Sequence, residues 1–383
     1  MKKTIIFLIL TYLLLTINSV SKAQDKNILE IGVLLPMSGE LKYIGDSFLK
    51  AIQLGLNDIS NKNVKIYLKD SKANAIDAYK AAKEFEKRGI NIVIGPIFFE
   101  SLEKLDSVNN ITFISFTNKT EQVSDNIISF GININSQINI IREYFDKNDI
   151  SKTLLLSPKS EFTNQIKKVE KSKIKFHKTY KYDKSPKKIT GEVEKLTKYK
   201  DRKKDLERRI NILEKSDLYK DKQELKKLEQ MHTLGKVNFD SIIVLDFGER
   251  LKSVLTSFIF ADVPSDKIKF FTINQWFDES FFNENALENL HFPSINFKNY
   301  KKFNKKFSNT FNEKAHQVSI LAYDALGLIY YCWYNNNFYF EKKQLYSKKG
   351  FKGLHGNFTI ENNLAVQKLK IYKISKKKFI KVY

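Results

Sequence analysis

Apolar positions along the chain switch repeatedly between two spacings. Residues 28–35 form a near-continuous apolar run that stops at Pro36-Met37-Ser38-Gly39, which predicts a buried strand followed by a turn. Ile44, Phe48, Ile52, Gly55 and Ile59 then mark one face of a helix. Residues 64–68 alternate like a strand, and Ala75, Ala78, Ala82 and Phe85 give a second helical stripe that Gly89 stops. Residues 91–95 read as a buried strand broken by Pro96, and residues 111–116 as another. Strands separated by helices of this length predict right-handed βαβ units on a parallel sheet.

The pattern restarts after about Gly131. Helices are predicted over 138–145, 162–169 and 251–260, and strands over 153–156, 174–180, 241–245 and 269–272. Two helices follow within 297–334, then a β-rich tail over 356–383. Two successive βα sets predict two similar lobes. The first would hold 28–133 plus about 275–360, and the second 134–274 plus about 361–383.

One stretch interrupts the second set. Residues 187–233 are dense in Lys, Glu, Arg and Leu. Leu206, Ile210 and Leu213 lie on one stripe and Leu218, Leu225 and Leu228 on another, with Ser216-Asp217 as a break between them. This predicts a charged helical hairpin inserted in the second lobe, either a solvated excursion or an arm that docks a partner.

The first 23 residues have a different character. Lys2 and Lys3 precede an apolar core from Ile5 to about Ile17, and Ser21-Lys22-Ala23 offers a cleavage site, the layout of a secretory signal peptide. The core is short for a membrane span, which needs about 20 apolar residues. The lone cysteine, Cys332, lies far from that site, so no lipoprotein anchor and no disulfide within the chain are expected. Residues 320–334 are the most apolar later stretch, but Asp324 sits within them, and they read as a buried core helix, not a transmembrane one.

The formal charge of +23 invites an anionic partner. The lysines are spread along the whole chain, and Lys, Asn, Ile, Phe and Tyr are all heavily used, as an AT-rich coding sequence would produce. Nucleic-acid binding would call for a clustered patch, and none is expected. The five histidines (177, 232, 291, 316 and 355) have no metal-ligand spacing. No nucleophile elbow, P-loop or dinucleotide fingerprint is present. Cys332 on its apolar helix reads as a small buried hydrophobe. The chain is therefore expected to be no enzyme and to carry no cofactor and no metal.

An ordered series of short motifs carries a resemblance. Ile31-Gly32-Val33-Leu34-Leu35-Pro36-Met37-Ser38-Gly39 is followed by Tyr43-Ile44-Gly45, Asp70-Ser71, Ile94-Gly95-Pro96 and Ile114-Ser115-Phe116-Thr117-Asn118. Later come Asn274-Gln275-Trp276, Ala322-Tyr323-Asp324-Ala325-Leu326, Gly353, Gly356 and Phe358-Thr359-Ile360. In that order the chain resembles the leucine-binding-protein group of type 1 periplasmic binding proteins, over nearly its whole length after the leader. The run Leu234-Gly235, Phe239-Asp240-Ser241 and Gly248-Glu249-Arg250-Leu251, after a charged helical segment, is similar to the penicillin-binding-protein activators of Gram-negative bacteria, non-enzymatic regulators of peptidoglycan synthases.

The resemblance implies an α/β, two-lobed type 1 fold, each lobe a mainly parallel sheet flanked by helices. It implies a periplasmic location and a ligand cleft between the lobes, at the carboxyl ends of the strands. Amino-acid binders of the family clamp the α-carboxylate and α-amine there. Matched residue by residue, the clamp hydroxyl would fall at Phe99, the threonine near Lys119 and the stacking aromatic at Ile44. None keeps that chemistry, although Ser101, Thr117 and Tyr43 lie close by. The candidate ligand contacts are Ser38, Tyr43, Phe99, Ser101, Ser115, Thr117, Asp246 and Trp276. Each has a plainer role available: Ser38 in a turn, Ser115 and Thr117 at a strand end, Trp276 in packing, Asp246 in a solvated turn. A zwitterion with unpaired buried ends would lose several kcal/mol per end. The first expectation is therefore regulation by contact with a peptidoglycan synthase, and the second a solute receptor serving an ABC permease, with a small molecule in the cleft.

Overall fold

The computed structural model describes residues 28–383 apart from 122, 123, 160–162, 184 and 264. The leader expected at residues 1–23 lies outside the described residues.

Two sheets organise the chain. The first is built on β1 (Leu29–Leu35), β2 (Val64–Asp70), β3 (Ile92–Ile94), β4 (Thr112–Ser115) and β5 (Ile127–Ser129), all parallel. β1 is an interior strand, between β2 and β3, and almost wholly buried, as its unbroken apolar run requires. The second holds β6 (Thr153–Pro158), β7 (Phe176–Tyr182), β8 (Ser241–Val244), β9 (Lys269–Thr272) and β10 (His291–Ser294), again parallel. The tail is shared. β11 (Phe351–Lys352), β12 (Asn357–Glu361) and β13 (Leu364–Gln367) complete the first sheet beside β5, while β14 (Lys370–Ser375) and β15 (Lys378–Lys381) close the second beside β10.

Helices cover the sheets. In the first lobe α1 (Lys42–Ile59) buries Ile44, Phe48, Ala51 and Ile52, the face its spacing predicts. Gly45 in this helix lies so close to Pro36 that any Cβ would stand 1.9 Å from the carbonyl oxygen. α2 (Ala75–Arg88) starts where Asn74 accepts from the Asp77 amide and ends at Gly89, whose φ of 83° suits glycine. α3 (Ile134–Lys147), α4 (Thr163–Glu170), α5 (Pro186–Leu196), α6 (Tyr199–Leu213), α7 (Tyr219–Leu228) and α8 (Gly248–Phe260) belong to the second lobe. α9 (Phe297–Phe311) and α10 (Ile320–Tyr334) return to pack on α1. Among the described residues no helix is long and apolar enough to cross a membrane.

The chain crosses between the lobes three times, at residues 130–133, 295–296 and 368–369. The last two differ from the boundaries expected near 275 and 360. β10 keeps residues 291–294 in the second sheet, because Pro293 lies opposite Ile371 of β14 in an antiparallel pairing. A proline within four residues reads as a strand breaker in sequence. At the other end β13 holds the first sheet as far as Gln367.

The charged segment also resolves differently from the hairpin expected over 187–233. α5 packs on α8 and is the crossover between β7 and β8. The hairpin proper is α6 and α7, joined through buried Leu206, Leu213 and Leu228 with Ile210 and Leu225 against them. Arg209 forks onto Glu224 with two contacts of 3.0 Å. Leu218, expected on the second stripe, caps α7 instead and is 67% exposed. With Ile212 and Tyr219 it leaves an apolar tip in solvent.

The core of the second lobe holds a buried histidine. His291 is buried, stacked on Phe271, and burial together with Lys269 lowers its pKa from 6.5 to about 4. The unfolded chain therefore takes up this proton at a higher pH than the folded one. Stability through His291 is full above 6.5 and falls as pH drops through the window to about 4, by up to about 3 kcal/mol. Denaturant titrations at pH 7 and pH 4.5 are expected to show a larger loss for the parent than for His291→Phe. Equal losses would remove His291 as the source.

Candidate functional site

The loops at the carboxyl ends of both parallel sheets meet around a cavity of about 300 Å³. The first lobe supplies Phe98 and Phe99 after β3 and Thr117, Asn118 and Lys119 after β4. The second supplies Gln137 from α3, Asn274 and Trp276 after β9, and Ser294 at the end of β10. Lys168 of α4 pairs with Glu121 at 2.6 Å and so ties the second lobe to the first. Burial raises the Glu121 pKa, but the hydrogen bond and charge of Lys168, joined by backbone hydrogen bonds, together outweigh it and the net shift is downward.

Three of the eight candidate residues line this cavity: Phe99, Thr117 and Trp276. The Lys119 ammonium sits 4.2 Å from the centre of the Phe99 ring and 3.4 Å from Glu100. The Thr117 hydroxyl accepts from the Lys119 amide at 3.2 Å, so it orders the loop that presents that lysine. Trp276 leans against Tyr300, with ring centres 6.4 Å apart.

The other five lie outside the cavity wall. Ser38 donates to Asp70 at 2.6 Å, and Asp70 also accepts from the Met37 and Lys72 amides. Burial opposes ionisation of Asp70, yet these three donors together hold its pKa below the usual range. Tyr43 is exposed and meets only the edge of His316. Ser115 is buried and donates to the Pro96 carbonyl at 2.9 Å. Ser101 is fully buried, and its Oγ has no hydrogen-bond partner among the described residues.

Asp246, expected either to meet a ligand amine or to sit in a solvated turn, does neither. Its side chain is fully buried and accepts from Arg250 at 3.0 Å, Tyr182 at 2.6 Å and the Phe247 amide at 2.8 Å. The recess beside it holds only about 10 Å³, about the least that admits one water. A buried carboxylate this well partnered is a structural ion pair.

Residue spacing did not mark Gln137 or Asn274. Gln137 donates to the Asn274 side chain at 2.8 Å and accepts from the Asn274 amide at 2.6 Å. Asn274 is left-handed, with φ 58°, a conformation asparagine tolerates. Its place in the Asn274-Gln275-Trp276 motif is the only sequence signal for it; Gln137 had none.

The cavity wall is mostly aromatic and aliphatic. Its one ammonium, on Lys119, is already matched to Glu100 and Phe99. It offers no uncommitted carboxylate for a ligand amine, and among the described residues no group of three or more His, Cys, Asp or Glu could hold a metal ion. Cys332 is buried elsewhere, and burial pushes its thiol up to about 12, so at neutral pH it is no nucleophile.

No protein-family model and no curated protein matches the sequence. Solved structures do match its fold. LivJ of Streptococcus pneumoniae, a branched-chain amino acid transporter substrate-binding protein in complex with isoleucine, is 16% identical with a TM-score of 0.56, over 93% of this chain and 99% of that one. The C-domain of LpoA from Haemophilus influenzae, a regulator of PBP1A, is 13% identical with a TM-score of 0.60, over 92% and 100%. Against full-length LpoA the TM-score is 0.64, and the chain spans 59% of that protein. A solute-binding protein of an ABC transporter from Rhodopseudomonas palustris BisB5, in complex with 3,4-dihydroxybenzoic acid, is 16% identical with a TM-score of 0.58, over 93% and 96%. These neighbours are binding or regulatory proteins, and at such identities they speak to architecture alone. With two mainly parallel sheets, three crossings and a cavity between the lobes, the chain has the two-lobed type 1 periplasmic-binding-protein fold.

Proposed function

We propose that this chain is exported through its first 23 residues and acts, without catalysis, by contact with a peptidoglycan synthase, in the manner of the penicillin-binding-protein activators. One observation carries the reading: the Phe99, Lys119 and Glu100 cluster stands where an amino-acid binder needs free polar groups, and its lysine is already paired with Glu100 and the Phe99 ring at an exposed edge. A zwitterion entering this wall would leave its ends unpaired, at a cost of several kcal/mol. The α6–α7 hairpin, with its exposed Ile212, Leu218 and Tyr219, supplies a surface for contact outside the cleft. Pull-down of the cell's bifunctional peptidoglycan synthases with the full chain tests this. A bound synthase whose glycan polymerisation or crosslinking rate changes is expected; neither binding nor a rate change would end the proposal.

A second reading is a receptor for an ABC importer of an amino acid or related small solute. It is favoured by the cavity itself, which at about 300 Å³ is large enough for a small molecule with an apolar body. In that reading Phe99, Thr117 and Trp276 contact the ligand, and the permease is the partner.

A further inference from the structure

The basic charge is spread along the chain and gathers in several acid-free runs, residues 298–306 and 342–352 among them, with five lysines each. Residues 368–381 contain seven lysines and no aspartate or glutamate. This stretch begins at the last crossing between the lobes and continues through β14 and β15. Beside it runs a groove of about 720 Å³, outside the cavity already described. Lys368, Lys370 and Lys381 line it from one side, and Asn139 and Lys147 of α3 from the other. Glu143 is the only acidic side chain lining it.

Four ammonium groups therefore share one concave surface, and none has an ion-pair partner among the described residues. Lys147 meets only the ring of Tyr383, at 5.1 Å from its centre. Some lysines elsewhere do find a carboxylate, as Lys168 does on Glu121 and Lys252 on Glu249 and Glu284. Like charges held together in a groove repel, and the concave wall focuses their field on whatever enters. A ligand with several closely spaced negative charges relieves that repulsion. Lysine, a compact charge with three donors on a flexible stem, suits phosphate better than it suits a single planar carboxylate.

We propose that this groove binds a ligand carrying clustered phosphate groups. Such a ligand would touch β13 through Val366 and Gln367, the crossing at Lys368 and the second sheet at Lys370 and Lys381. It would thus brace both lobes at the hinge, on a surface that neither reading of the cleft requires.

Tripolyphosphate titrated into the full chain, followed by calorimetry and by the melting temperature, tests the proposal. In parallel, vesicles of phosphatidylglycerol in phosphatidylcholine test phosphates presented by a membrane. Saturable binding and a raised melting temperature are expected. The double variant Lys370→Gln/Lys381→Gln should weaken binding about tenfold, while Lys203→Gln/Lys204→Gln, the same charge change on exposed α6, should weaken it by less than about twofold. Binding of tripolyphosphate supports a soluble source, and binding of vesicles alone, with the same dependence on Lys370 and Lys381, supports a headgroup source. No binding in either arm, or equal losses in the two double variants, would overturn the proposal.

Discussion

Asp324→Ala is expected to lower the unfolding free energy by about 4 kcal/mol, because it strips the acceptor from several buried donors at once. Asp324 sits in α10 at 6% exposure. Its carboxylate accepts from the Leu354 amide at 2.7 Å, the His355 amide at 2.8 Å and the His355 ring. Gly353 lies so close that an added Cβ would stand 2.6 Å from the same carboxylate. The His355 carbonyl then accepts from the Asn296 amide, at the middle crossing between the lobes. One acid inside an apolar helix thus holds the loop on which that crossing rests. Asp324→Asn keeps one acceptor oxygen in nearly the same volume and should lose clearly less. Urea unfolding of the two variants checks this; a loss below about 1 kcal/mol in Asp324→Ala would show that the carboxylate is not the acceptor that matters.

Arg202→Met is expected to cost about 3–5 kcal/mol, and the damage should be local to the hairpin. The guanidinium is buried between two helix ends. It donates to the carbonyls of Thr197, which closes α5, and of Ala261, which closes α8, and to the Thr233 hydroxyl at 2.9 Å. A cation at two helix C-termini meets carbonyls that lack partners within their own helices. Burial pulls the pKa of this guanidinium down, with Asp262 opposing; arginine nonetheless stays charged, so the buried cation needs these acceptors. Methionine fills the volume and offers no donor. Amide hydrogen exchange should quicken over residues 199–234 while β1 and β3 stay protected. Uniform loss of protection would contradict an anchoring role for Arg202.

Much of the architecture was legible in the residues. The strand of 28–35 and the stripe from Ile44 to Gly55 announced one βα unit, and the same spacings recurred after Gly131. Long buried strands advertise themselves because both of their faces must be apolar. The misses have physical causes. β5 is three residues long, too short for a period, and β10 contains Pro293, which pairs where its missing amide is not needed. Asp324 was visible as an oddity in an apolar helix, but the donors it serves lie 30 and 31 residues further along.

The site was less legible, since pattern tells which residues are buried and not which way a polar atom points. Thr117 and Ser115 are two residues apart at the end of one strand, yet only Thr117 lines the cavity. Asp246 looked available for a ligand until Arg250, Tyr182 and Phe247 filled its valences. Ile44, placed by matching at the stacking position, belongs to the buried face of α1 and lies outside the cavity wall. Lys119, which matching flagged as the wrong residue for a clamp, proved to be the most informative one. Its contacts with Phe99 and Glu100 put a paired ammonium where the clamp would stand.

The central claim is that this fold keeps the shape of a solute receptor without the means to clamp a free amino acid. Melting temperatures measured with each of the common amino acids, at about 1 mM, test it most directly, since a ligand that binds the native state strongly must raise them. No shift is expected for leucine, isoleucine, valine or any other. A rise of about 4 °C or more with one of them, lost in Trp276→Ala, would place a working amino-acid site in the cleft and contradict it.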